Sequence, residues 1–120
     1  MKSKWIEYNG KKIFFQDFAN HFHNAEAVKQ ELEQVQAIVK AEPPNSVLVL
    51  SDFRNTSIGR ELLPIMNAAS AATKKYVKRT AVLGVTGIKR VLADMLSQMT
   101  GQPLKYFDEE FEAKDWLAGD

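Results

Sequence analysis

The 120-residue chain contains no cysteine. That absence removes disulfides, thiol nucleophiles and thiolate metal sites together, and it fits a reducing cytoplasm. A surplus of either charge is missing too: 16 Lys and Arg stand against 15 acidic residues, a net charge of +1. A dedicated nucleic-acid binder draws its affinity from a strong excess of phosphate-neutralising cations, so nucleic acid is not an expected partner. No apolar run is long enough to cross a bilayer, and the opening MKSKWIEYNG holds no apolar core of signal-peptide length. Internal repeats, low-complexity segments and linkers are also lacking. What remains is one soluble, cytoplasmic domain spanning residues 1–120, long enough for one core and too short for two.

The patterning that is present reads as alternating strands and helices. KWIEYNGKKIFF gives two short strands, Trp5–Tyr8 and Lys11–Phe15, joined at Asn9-Gly10, a pair that tolerates the positive φ angles of a two-residue hairpin turn. A helix is predicted from Ala25 to Glu42, capped by Asn24, with Val28, Leu32, Val35 and Val39 at helical spacing and Pro43-Pro44 as its stop. Val47–Leu50 is apolar on both faces of the pleat, the mark of a central, doubly covered strand. Leu62, Ile65, Met66, Ala69, Ala72 and Tyr76 trace a second helix starting between Ser57 and Leu63, with Pro64 in its first turn.

Thr80–Leu83 is another buried strand, and Ile88 to Met99 carries a third helical stripe ended by Gly101 and Pro103. Leu104–Phe107 is a short strand, after which Asp108 caps a last helix docked by Phe111, Trp116 and Leu117. The order β-β-α-β-α-β-α-β-α predicts an α/β fold: a mixed five-stranded sheet with an N-terminal hairpin, one antiparallel strand and four helices.

KRTAVLGVTG, VLADMLSQM and PLKYFDEEFEAKDWL together resemble the SpoIIAA-like family of STAS-type domains. The resemblance implies a non-enzymatic regulatory module, since STAS proteins include anti-sigma-factor antagonists switched by phosphorylation of a Ser at the tip of the helix after the third strand. Asn55-Thr56-Ser57-Ile58-Gly59 is similar to the family's Asp-Ser-Ser-Gly pattern, with Asn55 in place of Asp and Ile58 set before Gly59. It places Ser57 nearest the modified position. The likeness of SpoIIAA-like domains to the CRAL-TRIO lipid-transfer fold further implies an apolar ligand under the second helix, or peripheral membrane contact.

Each candidate site has a plainer competitor. The loop Arg54, Asn55, Thr56, Ser57 reads first as the cap of the following helix and second as a phospho-switch. Asp52, at the end of a central strand, is expected to bond loop amides beside Arg54 rather than to serve with Thr86 and Lys105 in a receiver-type site, because the first strand lacks the acidic pair that such a site needs for magnesium. GVTGIKR, residues 84–90, satisfies neither the phosphate-loop nor the dinucleotide pattern. His21 and His23 flank Phe22 near Asp17, with no third ligand for a metal and no nucleophile to activate.

Phe14, Leu62, Met66, Met95 and Met99 are candidate pocket residues, with plain core packing as the competing role. Ala68–Ala72 is a run of small residues that either packs closely or leaves a groove. Lys74, Lys75, Lys78 and Arg79 either complement the end of the second helix or meet an acidic surface. The expectation is therefore a binding module without cofactor or metal. Its partner is another protein, a second copy of the chain included, or alternatively a lipid or other small apolar ligand.

Overall fold

A computed structural model describes residues 2–84 and 104–119. Strands β1 (Lys4–Tyr8) and β2 (Lys11–Asp17) form the antiparallel hairpin, with Tyr8 opposite Lys11. Asn9 and Gly10 take φ of 49° and 77°, the left-handed pair that matches the strand twist. Helix α1 (Ala25–Lys40) follows; the Asn24 Oδ1 accepts from the Ala27 amide at 3.1 Å, the cap its sequence announces. Strand β3 (Val47–Asp52), helix α2 (Leu63–Thr73), strand β4 (Val77–Leu83), strand β5 (Leu104–Phe107) and helix α3 (Glu110–Ala118) complete the described elements.

The sheet order is β1-β2-β3-β4-β5, parallel from β2 onward. Val49 pairs with Thr80 and Leu50 with Ala81, so the two expected central strands do lie side by side. All of β3 is buried, because it is paired on both edges and covered on both faces. Val47 and Val49 point into one core with Phe14, Val28, Leu32, Val35, Val39, Leu62 and Ala69, the α1 and α2 side. Leu48 and Leu50 point into the other with Ile13, Ala81, Leu83, Ala113 and Leu117, the α3 side. Strand alternation alone produces this division.

Three helices are found among the described residues, not the four expected; the helix predicted over Ile88 to Met99 lies outside them, with Thr86, Gly101 and Pro103. The last helix also differs from expectation. Glu109, not Asp108, occupies its N-cap position and makes no side-chain cap bond. Phe111 is 58% exposed rather than docked, because Ala113, Trp116 and Leu117 share a face at i, i+3, i+4 and Phe111 falls outside it.

Between Val47/Leu48 and Val77/Arg79 the register shifts, leaving Lys78 as an extra residue. Such a bulge re-aims the side chains beyond it. Arg79 thereby reaches the end of α3, donating from Nη1 to the carbonyls of Trp116 and Gly119, both at 2.9 Å. The basic cluster read from the sequence is thus split, and the last turn of α2 itself holds no basic residue.

A buried polar link fastens the N-terminus to α1. Glu31, 7% exposed, accepts from the Ser3 hydroxyl at 2.6 Å, the Ser3 amide at 2.9 Å and the Lys2 amide at 3.3 Å. Ser3 Oγ in turn accepts from the Asp17 amide at 2.9 Å. Burial opposes the carboxylate charge, but the bonds from Ser3 and Lys2 outweigh it, and the net pKa is lowered.

A carboxylate with a lowered folded pKa adds stability above its unfolded value and loses it as pH falls through the folded one. Glu31→Gln should therefore cost about 1–2 kcal/mol at neutral pH. Its gap from the native chain should close as urea unfolding is repeated at progressively more acidic pH. An unchanged gap would remove the carboxylate from the account.

Candidate functional site

Beyond the ends of β2 and β3 the chain forms two loops that are stitched together. The Phe18 amide donates to the Asp52 carbonyl at 3.0 Å, Asn20 to Arg54 at 2.9 Å and Phe22 to Asn55 at 2.8 Å, while the Ser57 amide returns a bond to the Phe22 carbonyl at 2.6 Å. Asn55 Nδ2 also donates to Asn20 Oδ1 at 2.9 Å. Both loops leave the carboxyl ends of parallel strands, the edge along which open α/β sheets bind ligands.

Asp52 is 2% exposed and anchors the second loop. Its Oδ1 accepts from the Arg54 amide at 3.0 Å, and its Oδ2 accepts from Arg54 Nη2 at 2.7 Å. The same Nη2 donates to Glu110 Oε1 at 3.1 Å, which ties the loop to the start of α3. The bond to Asp52 holds the Arg54 pKa above its ordinary value, and Lys114 at 2.7 Å, followed by Arg54, holds Glu110 below its own. Asp52 thus performs the loop-bonding role expected of it.

The cap expected of Asn55–Ser57 is not formed. Helix α2 starts only at Leu63, its N-cap residue is Leu62, and no side chain caps it. Thr56, 2% exposed, instead donates its hydroxyl to the Phe18 carbonyl at 2.5 Å and accepts from the His21 amide at 3.1 Å. Residues 58–62 separate Ser57 from the helix, so no helix N-terminus is available to a phosphate there. The Ser57 hydroxyl makes no hydrogen bond among the described residues.

Phe22, which sequence reasoning passed over for its histidine neighbours, proves the more informative residue. It is 62% exposed, with φ at 50°. A bulky aromatic in the left-handed region is an outlier that needs surrounding structure to hold it. The bonds to Asn55 and Ser57 supply that hold. The only signal in the sequence was an aromatic residue stranded among Asn and His with no apolar period.

A second feature lies between α1, α2 and the sheet: a partly open cavity of about 100 Å³. Leu32, Val35, Val49, Phe18, Phe53, Ile58, Met66 and Ala69 supply apolar wall, with Gln16, Ser51 and Thr80 on the strands as polar points. Of the proposed pocket residues, Met66 lines it. Phe14 and Leu62 are buried in the adjoining core and are not wall; Met95 and Met99 lie outside the described residues. Of Ala68–Ala72, Ala69 is buried and lines the cavity, while Ala71 and Ala72 are exposed. Phe18, Phe53 and Ile58 form both cavity wall and loop flank, so the two features share a boundary.

Among the described residues no group of three or more His, Asp or Glu is placed to hold a metal, and no helix is long and apolar enough to cross a membrane. His21 Nε2 is buried without a hydrogen-bond partner among them.

A family model described as SpoIIAA-like matches residues 17–118. The chain belongs to the SpoIIAA-like family, as its sequence resemblance indicated. No curated protein and no solved structure matches it.

Proposed function

We propose that the chain is a non-enzymatic, cytoplasmic regulatory module of STAS type that binds a protein partner through Phe22 and the adjacent loop Arg54, Asn55, Thr56, Ser57. The observation carrying this reading is the exposed Phe22 ring, held in a left-handed conformation by the candidate loop itself. Aromatic residues dominate interface energetics when a partner desolvates them. Family membership supports a regulatory or interaction role. Phosphorylation of Ser57 would add nearly two negative charges beside Phe22, changing the surface a partner meets.

A photo-crosslinking phenylalanine analogue at position 22, expressed in the native host, tests this directly. One protein species should be captured at position 22 and none at the exposed Lys40 on α1. Phe22→Ala should weaken binding to that species by about 30-fold or more, while stability moves by under about 0.5 kcal/mol. Ser57→Asp should alter capture, and Ser57→Ala should abolish phosphate labelling. Capture of the chain itself would mean a homodimer surface, and equal capture at positions 22 and 40 would sink the reading.

A second reading, binding of a small apolar ligand, is favoured by the cavity. Its size supports a compact molecule rather than a whole lipid with its acyl chains.

A further inference from the structure

We propose that the cavity takes a small neutral molecule with a compact apolar body, about the size of one aromatic ring, and a single hydrogen-bonding group that meets Thr80 and Gln16. This rests on the ligand reading above and names the ligand's chemistry.

Size sets the first limit. A cavity of about 150 Å³ lined by aliphatic and aromatic side chains accommodates benzene, and this one is about 100 Å³ and partly open. Charge sets the second. None of the described lining residues is ionisable at neutral pH, and an uncompensated charge would be expelled from such a wall. Carboxylates, phosphates and amines are thereby excluded.

The polar points set the third. Thr80 is 8% exposed and Ser51 7% exposed. Ser51 Oγ donates to Gln16 Oε1 at 3.2 Å, which leaves both Gln16 Nε2 protons without a partner among the described residues. The Thr80 hydroxyl likewise has none. Gln16 on β2 and Thr80 on β4 line the same cavity from either side of β3. A polar group that a ligand buries there needs a hydrogen-bond partner, so these two mark where its hydroxyl or carbonyl belongs. Phe18, Val49, Val82 and Met66 would surround its apolar body.

The test uses phenol, toluene and benzoate as probes, followed by calorimetry and by amide NMR shifts on the full chain, native and Thr80→Val. Phenol and toluene should shift Val49, Ser70 and Val82, and benzoate should not. The phenol-to-toluene affinity ratio should fall about tenfold in Thr80→Val. The substitution is nearly isosteric and removes a hydroxyl that has no partner among the described residues, so the variant should fold at least as stably as the native chain.

An unchanged ratio with toluene still bound would overturn the assigned polar contact and leave the ligand reading standing. Benzoate binding as well as phenol would overturn the neutral class. Failure of both phenol and toluene to shift cavity residues would overturn the inference and the ligand reading together.

Discussion

Gly84→Ala should destabilise the protein by about 3–4 kcal/mol, a loss on the order of 10–15 °C in Tm. Gly84 follows β4 directly at φ 83°, where an L-residue already carries about 1–2 kcal/mol of steric cost. A Cβ added there would sit 2.5 Å from the Arg54 amide nitrogen and 2.7 Å from its Cα. Those atoms are backbone and cannot swing aside. Relief requires moving Phe53–Arg54, which would disturb the bond from the Phe53 amide to the Leu83 carbonyl at 2.9 Å and the Asp52–Arg54 pair. Gly10→Ala is the matching control: φ is 77°, but nothing lies within 4 Å of the added atom, so only the backbone cost of about 1–2 kcal/mol is expected. Urea unfolding of both variants decides the matter. Equal losses would show that the close approach to the candidate loop carries no energy.

Phe18→Ala should cost about 3–5 kcal/mol, the range for emptying a buried aromatic site. Phe18 is 1% exposed and stacks on Phe53 with ring centroids 4.9 Å apart. Its amide and carbonyl bonds, to Asp52 and Thr56, belong to the backbone and survive the substitution. The stitched loops should therefore persist while the cavity grows at their base. Toluene at about 100 times its dissociation constant should then restore about 2.7 kcal/mol, and thermal melts with and without toluene read both effects. A loss near 1 kcal/mol, or no recovery with toluene, would mean that the ring is not the wall between cavity and loop.

The elements were legible where local chemistry is strong. Asn9-Gly10 can hardly be anything but a tight turn, Asn24 finds its own amide partner three residues on, and VLVL has no polar face to offer solvent. The site was legible only in part. Asp52 beside Arg54 could be paired from sequence because they lie only two positions apart. Thr56 could not, since its partners Phe18 and His21 lie more than thirty positions away, and the cap assigned to its loop failed because α2 begins at Leu63, the far end of the expected range. Ser51 and Thr80 look like ordinary ends of apolar strands; nothing local reveals that they face the same empty space as Gln16.

Alternation, turn chemistry and capping thus determined the order of strands and helices and the two buried central strands, because each depends on neighbours within a few residues. Tertiary structure alone decided that Phe22 is held outward by Asn55 and Ser57, that the bulge at Lys78 sends Arg79 to the end of α3, and that a cavity remains beneath α2. Those outcomes depend on how volumes and unpaired hydrogen-bonding groups from distant segments meet, and no periodicity in a single chain encodes that meeting.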